Sequence, residues 1–439
     1  MSLEILGLVL LASLFVVIMI GFPISFTLLF LAIAFGYAGI GERVFHLMSY
    51  QYWGQMTETV LAAVALFTFM GYLLESAGLM DRLFKALQLL CGRIPGSLYL
   101  GVVFTAALFA AATGIVGASV TILGLMAGPV MTKSKYDTSL SAGIITAGGT
   151  LGILIPPSIM LVVMGPVMQI SVARLYAAAI LPGLTLAVVY GTYAMIRVIH
   201  NPKLGPPLSA EELDVPKAYL IKELLFGLIP PAALIIATLG SIITGFATPT
   251  EGAALGCLGA FLVSAANRKL SMKMLKDSLY RTAETTAMVM ILLCASTFMG
   301  SVFSAFGTPA YIAEVLLSLD LPPAVFVFGI LIACFILGWP LEWVPIVVII
   351  IPIFMPVLTG LHVDMIWIAI LIAVTLQSCW LSPPVALSAY YLKGVVPEWN
   401  LVDIYKGMLP FMGLQVVAVI ILYLFPEITL YLPHLLFDK

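Results

Sequence analysis

Two proline pairs, Pro156-Pro157 and Pro383-Pro384, lie 227 residues apart in apolar stretches without a charged side chain. Thr150 and Ser158 flank the first pair, and Ser382 precedes the second. A proline inside a helix removes one N–H donor and clashes with the carbonyl four residues back, so each pair interrupts the helix that contains it. The break frees N–H groups at the start of one half-helix and carbonyls at the end of the other. The first suit an anion and the second a cation such as sodium. The chemistry on offer is reversible binding by peptide dipoles, with hydroxyls in support. A single membrane proline usually only kinks its helix. A pair recurring in both halves, opposite a glycine-broken segment each time, favours a binding site.

Bond-making chemistry has no comparable support. Cys91, Cys257, Cys294, Cys334 and Cys379 are scattered without a CxxC pair, and His46, His200, His362 and His434 do not cluster. Neither a disulfide framework nor a transition-metal site is expected. No Ser/His, paired-Asp or metal constellation of an intramembrane enzyme is visible, so the chain is expected not to be an enzyme.

The elements that position the proline pairs are membrane helices. Of 439 residues, 62% are hydrophobic and 9% charged, against about 25% charged in soluble domains. That composition gives an all-α polytopic membrane protein embedded in the lipid bilayer. The net charge of −2 and the lack of a basic tract point to no nucleic-acid partner. The leading MSLEILGLVLLASLFVVIMI carries Glu4 and no basic region, and reads as a retained first span. At about 20 apolar residues per span, the first half gives 3–20, 22–40, 57–78, 139–166 and 173–198. The second gives 223–240, 248–266, 284–304, 366–391 and 408–431.

Two apolar blocks, 98–130 and 322–358, are too long for one span and break at TGIVGAS and LGWPLEW. Both read as re-entrant helical hairpins, tolerated at membrane depth only where protein or water covers the backbone. With the hairpins in place, loops 80–97, 131–138, 197–222, 267–283 and 392–407 fall on one side and hold 16 of the 19 Lys and Arg. The positive-inside rule puts that side in the cytoplasm and both termini outside.

The two halves align almost without gaps. Pro95 and Pro322, Pro129 and Pro356, Asp137 and Asp364, and the members of the two proline pairs are each separated by 227 residues. Residues 1–198 form a first unit, 199–222 a cytoplasmic connector, and 223–439 a second unit. Each unit holds about five crossing helices and one hairpin, so the second is inverted. Inverted repeats with broken helices at the midplane mark secondary transporters.

At these residues the chain resembles the large membrane subunit of tripartite ATP-independent periplasmic (TRAP) transporters. The resemblance rests on GTLGILIPPS (149–158), LYAAAILPG (175–183), GFATPTEGAA (245–254), PIFMP (352–356) and LSPPV (381–385), and it spans essentially the whole chain. The segment LQSCWLSPPVALSAYYLKGVVP looks most like a subgroup associated with 2-oxo acids, other monocarboxylates and mannitol or chloroaromatic compounds. The resemblance implies a sodium-driven importer of organic acids in the bacterial inner membrane. It also implies a periplasmic substrate-binding protein and a small membrane subunit of about four spans, here a second polypeptide. Its mechanism would be of elevator type, with a transport domain carrying both hairpins. One sodium site would then use Gly117, Ser119, Thr150, Gly152 and Ile155, largely through carbonyls. The other would use Gly338, Thr375, Ser378 and Leu381. Substrate would lie at Pro156, Pro157, Ser158, Ser382, Pro383 and Pro384. The second half departs from the family pattern: SPP stands where Thr commonly precedes the prolines, and GWPLEW carries Glu342 in place of Asp.

Glu342, at the second hairpin tip, reads either as an ion- or proton-coupling group or as a local cap. Thr248 can cap a helix whose first turn carries Glu251. Arg174 reads as a span-end anchor or a docking residue ahead of a substrate contact. The alternatives to a TRAP subunit are a self-sufficient carboxylate carrier of the same superfamily and, less favoured, a channel.

Overall fold

In each half, the helix that runs into the proline pair is started by an aspartate cap. Asp137 accepts a hydrogen bond from Leu140 N at 2.7 Å. Its counterpart Asp364 accepts from Ile366 N at 2.9 Å and Trp367 N at 2.8 Å. The matched aspartates therefore do one job, starting the helices that run into the proline pairs. The computed structural model describes residues 2–208, 215–383 and 385–438, with the backbone course alone for 110–113. The first half comprises α1 (Leu3–Ile20), α2 (Ile24–Ile40), α3 (Arg43–Thr57), α4 (Ala62–Ser76), α5 (Leu79–Cys91), α6 (Ser97–Thr113), α7 (Val116–Lys133), α8 (Thr138–Thr150), α9 (Ile159–Met168) and α10 (Val172–His200). The second comprises α11 (Lys217–Ile243), α12 (Pro249–Ala266), α13 (Met272–Ala305), α14 (Thr308–Leu317), α15 (Pro323–Leu337), α16 (Trp343–Gly360), α17 (Met365–Leu376), α18 (Leu387–Val395) and α19 (Leu401–Leu424), followed by α20 (Glu427–Phe437). Among the described residues, nine helices are long and apolar enough to cross a bilayer.

The helices recur in the same order in the two halves and pack reciprocally. α4 lies on α12 as α13 lies on α2, α8 lies on α19 as α17 lies on α10, and α7 lies on α18 as α16 lies on α9. Each half thus packs on the other through helices at matching places in the order. The innermost helices are α8 and α17. Every residue from Leu140 to Thr150 and from Ile368 to Leu376 is buried, as befits helices apolar all round. Three donors stitch α12 to α4 and the turn before it. Thr250 Oγ1 donates to the Thr59 carbonyl at 2.9 Å, Cys257 Sγ to Leu66 at 3.0 Å and Ser264 Oγ to Leu73 at 3.1 Å.

Some boundaries differ from the hydropathy reading. The spans expected at 223–240 and 284–304 are the apolar parts of longer helices, α11 and α13, whose first two turns carry Lys217, Lys222, Lys273 and Lys276. Charge ends the apolar stretch without ending the helix. The expected span 57–78 begins with a 3-10 turn at Thr59–Leu61. The last expected span, 408–431, is displaced: Asn400 starts α19, which stops at Leu424 before Pro426. The hairpin blocks each hold two helices, α6 with α7 and α15 with α16. The tips lie at Gly114-Ile115 and Gly338–Glu342.

The contact of α8 with α19 needs bare backbone: a Cβ on Gly407 would collide with the Ser139 carbonyl, and one on Gly143 with the Gly407 carbonyl. Gly407→Ala is expected to destabilise the fold by about 1–3 kcal/mol through overpacking. Gly413→Ala on the same helix has open space and is expected to be neutral. Thermal unfolding in detergent separates the two; equal melting temperatures would count against this packing.

Candidate functional site

Both proline-containing spans are interrupted. α8 ends at Thr150, a 3-10 turn follows at Leu151–Ile153, and helix resumes at Ile159. α17 ends at Leu376, a 3-10 turn covers Gln377–Trp380, and α18 starts after Ala386, which has φ 31°. Pro156 and Pro157 lie in the first gap and Pro383 in the second; Pro384 lies outside the described residues. Ser158 Oγ donates to the Ile153 carbonyl and accepts from Leu161 N, so it bridges the gap and caps α9. Ser382 Oγ donates to the Ser378 carbonyl. The two serines thus satisfy local backbone groups freed by the breaks.

The hairpin tips close on these breaks. Gly114, at φ 62°, stands where a Cβ would lie 3.6 Å from the Pro157 carbonyl oxygen. Gly149 lies against the backbone of Val120, and Gly117 against the ring of Tyr391, where a Cβ would meet Cζ at 2.9 Å. On the second side, a Cβ on Gly338 would stand 2.7 Å from Cys379 Sγ. The first hairpin therefore touches elements of both breaks.

Between the tips lies a cavity of about 60 Å³. Gly114, Ile115 and Val116 form one wall and Glu342, Trp343 and Val344 another. Ile153, Ile159 and Trp380 contribute from the breaks, and Thr285, Met288, Val289 and Leu292 from α13. Three helices open on it with their N-termini, α7 at Val116, α9 at Ile159 and α16 at Trp343. Each N-terminus carries about half a positive charge on unpaired N–H groups. Glu342 occupies the N-cap position of α16, yet its side chain makes no capping bond.

Behind the cavity the two breaks meet directly. Thr150 Oγ1 lies 3.0 Å from Gln377 Oε1, and these residues are separated by the same 227 positions as the prolines. Both are fully buried. The Tyr190 hydroxyl and the Gln415 side chain lie beside Thr150 without closing a well-formed hydrogen bond. Gln377 Nε2 and Ser378 Oγ are buried and have no hydrogen-bond partner among the described residues.

The remaining expected site residues divide. Ser119 and Gly117 lie in the first turn of α7, Gly152 in the first 3-10 turn, and Thr375, whose hydroxyl donates to Leu371, at the end of α17. Leu381 follows the second turn and is buried. Ile155 packs against Gly183, and with Pro156 it borders an apolar crevice of about 800 Å³ between α6, α10 and α11. Of the expected site residues, Glu342 alone lines the small cavity. Among the described residues no group of three or more His, Cys, Asp or Glu could hold a metal. Arg174 pairs with Asp438 at 2.9 Å and sits over the Phe437 ring, which anchors the span end to α20. Glu251 and Thr248 form a reciprocal capping box. Gln377, Thr285, Trp380 and Tyr391 escaped the sequence reading; only Gln377 carried a signal, as the repeat mate of Thr150.

The chain matches the family model described as tripartite ATP-independent periplasmic transporter, DctM component, over residues 11–428. It is 30% identical over 377 residues to the C4-dicarboxylate TRAP transporter large permease protein DctM of Pseudomonas aeruginosa, covering 85% of this chain and 86% of that one. It is 28% identical to the sialic acid TRAP transporter large permease protein SiaM of Vibrio cholerae, covering 94% and 95%. Among solved structures it is similar in fold to the Alcanivorax borkumensis YdaH transporter, with a TM-score of 0.64, 15% identity and 87% and 88% coverage.

The Thr150–Gln377 contact invites a double-mutant cycle with Thr150→Val and Gln377→Leu. Thr150→Val strands Gln377 Oε1 and is expected to cost about 1–3 kcal/mol, whereas in Gln377→Leu the Thr150 hydroxyl keeps the Ala147 carbonyl and the cost is expected to be smaller. The double variant is expected to recover part of that loss in thermal unfolding. Strictly additive losses would count against the contact.

Proposed function

The chain belongs to the DctM-component family of tripartite ATP-independent periplasmic transporters, and from that premise we propose that it is the large permease subunit of a sodium-coupled, binding-protein-dependent importer of organic acids. It is a transport component rather than an enzyme. The observation that carries the reading is the convergence of three helix N-termini on one cavity. A cargo carboxylate there meets unpaired N–H groups and low dielectric, which favour an anion. The relatives named for C4-dicarboxylate and sialic acid have carboxylate cargo in common.

Sodium, as co-substrate, belongs where the breaks free carbonyls. Carbonyls at the end of α8 and its 3-10 turn, with Ser119 and Thr150, supply the first set: Gly117, Ser119, Thr150, Gly152 and Ile155. Gly338, Thr375, Ser378 and Leu381 supply the second, where the buried, unpartnered Ser378 hydroxyl supports a ligand role. A bound cation on each side also offsets the Glu342 carboxylate facing the cavity. As it stands, the cavity has room for about two waters, so loading requires the hairpins or α13 to part. In this reading the hairpins and broken helices move together against a scaffold of α1–α4 and α11–α13, as in an elevator. A small membrane subunit extends the scaffold, and a periplasmic protein delivers cargo at the inner membrane. Both termini face the periplasm.

Uptake of labelled mono- and dicarboxylates into proteoliposomes, with both partner proteins supplied, tests this. Uptake is expected to need an inward sodium gradient and the binding protein. Ser119→Ala and Thr150→Ala are expected to raise the sodium concentration for half-maximal uptake roughly tenfold, about one hydrogen bond to a charged group, a larger effect than on abundance. Uptake that persists under a proton gradient alone would remove sodium coupling; uptake indifferent to the binding protein would remove the tripartite assignment.

A further inference from the structure

On the α13 wall of the cavity, polarity is confined to one end. Along α13, Met288, Val289 and Leu292 line it with apolar side chains, whereas Thr285 presents a hydroxyl. Thr285 Oγ1 lies 2.9 Å from Tyr72 Oη on α4. The guanidinium of Arg281, one helical turn from Thr285, sits 4.2 Å from the centroid of the Tyr72 ring. Arg281 Nη1 donates to Glu75 Oε1 at 2.8 Å. The Arg281 side chain remains 44% exposed while Glu75 is 17% exposed. Glu75 is thus the packed partner, while part of the Arg281 side chain stays accessible. Tyr391, seated on Gly117 of the first hairpin, comes within electrostatic reach of both Tyr72 and Glu342.

A guanidinium has five N–H donors in a planar fork, and one carboxylate oxygen engages one of them. Glu75 and the Tyr72 ring fix its position; the unused edge matches a second carboxylate. The cluster lies at the end of α13 that opens from loop 267–283, one of the five Lys/Arg-rich loops.

Building on the function proposed above, we propose that Arg281, braced by Glu75 and Tyr72, is a scaffold subsite that receives the cargo carboxylate as it leaves the cavity on the cytoplasmic side. The three helix N-termini hold the anion in the cavity, with Glu342 facing it there. Arg281 gives it a charged landing point one turn away, with Thr285 and Tyr72 as hydroxyls between. Arg281 acts on a species already bound and released, so it governs affinity on the inner side and not capture from the binding protein.

The test uses the complete transporter in proteoliposomes of known orientation, with a labelled carboxylate that the wild type carries, reading outer and inner half-saturation separately through uptake and efflux. R281Q is expected to raise the inner half-saturation concentration roughly tenfold, the worth of one charge-assisted hydrogen bond, and to leave the outer value unchanged. R281K keeps the charge without the fork and is expected to fall between. E75Q leaves the cation in place and is expected to keep the inner value near or below wild type. A mere clamp between α4 and α13 predicts instead that E75Q and R281Q lose melting temperature and transport alike. Matching defects in those two, or an unchanged inner half-saturation in R281Q, would overturn the proposal. Should R281Q fail to accumulate, R281K against E75Q gives the same comparison, with R281K at the wild-type inner value as the overturning result. A wild type that carries no carboxylate at all counts against the proposed function, not against this subsite alone.

Discussion

Backbone released inside hydrocarbon must be covered by protein, because water is not there to accept its hydrogen bonds. This chain opens two spans near their middles, and the rest of its architecture follows from closing them again. Local hydroxyls take the nearest carbonyls, Ser158 at Ile153 and Ser382 at Ser378. Hairpin tips then lie over what remains, and they come close enough only where side chains are missing. Gly114 beside Pro157, Gly149 beside Val120 and Gly338 beside Cys379 are places where backbone meets its cover. The reciprocal packing of the halves makes each unit supply part of the other's surroundings.

Closing the breaks in this way also sorts charge. Helix beginnings gather at one small cavity, and the ends of α8 and α17 gather behind it, where Thr150 meets Gln377. Anion-favouring and cation-favouring surfaces therefore lie back to back within a few residues of each other. Under the proposed function, two ions of opposite sign bound there would steady one another in a region of low dielectric, where their attraction is strong. Glu342 of the GWPLEW tip places a carboxyl group against a cavity that helix dipoles make positive.

The proline spacing, the apolar blocks and the aspartates at 137 and 364 made the helix order legible, because all three depend on local chemistry repeated at a fixed interval. Asp137 and Asp364 carry the same capping role, and the Thr248–Glu251 pair caps as its spacing implied. Charged first turns hid the true starts of α11 and α13, since hydropathy measures burial in lipid and not helix continuity. The cavity lining was largely illegible. Thr285, Trp380 and Tyr391 come together from segments far apart in sequence, and their types alone are those of ordinary span residues. Gln377 was the exception, readable as the mate of Thr150 once the halves are laid side by side. The proline-flanking serines attract notice in sequence because hydroxyls near a break resemble ligands. In the fold their first task is to stitch backbone.

The three-rung stitch from Thr250, Cys257 and Ser264 to Thr59, Leu66 and Leu73 has a practical corollary. Its donors and acceptors both advance by seven residues, so the two helices run in the same direction, and a slip of one residue would misalign every rung together. Where the crevice bordered by α6, α10 and α11 is lined by apolar side chains, this seam is held by hydrogen bonds. Spectroscopic labels on the lipid-facing flanks of α4 and α12 would serve as fiducial marks, a fixed ruler from which displacement of any other element can be read.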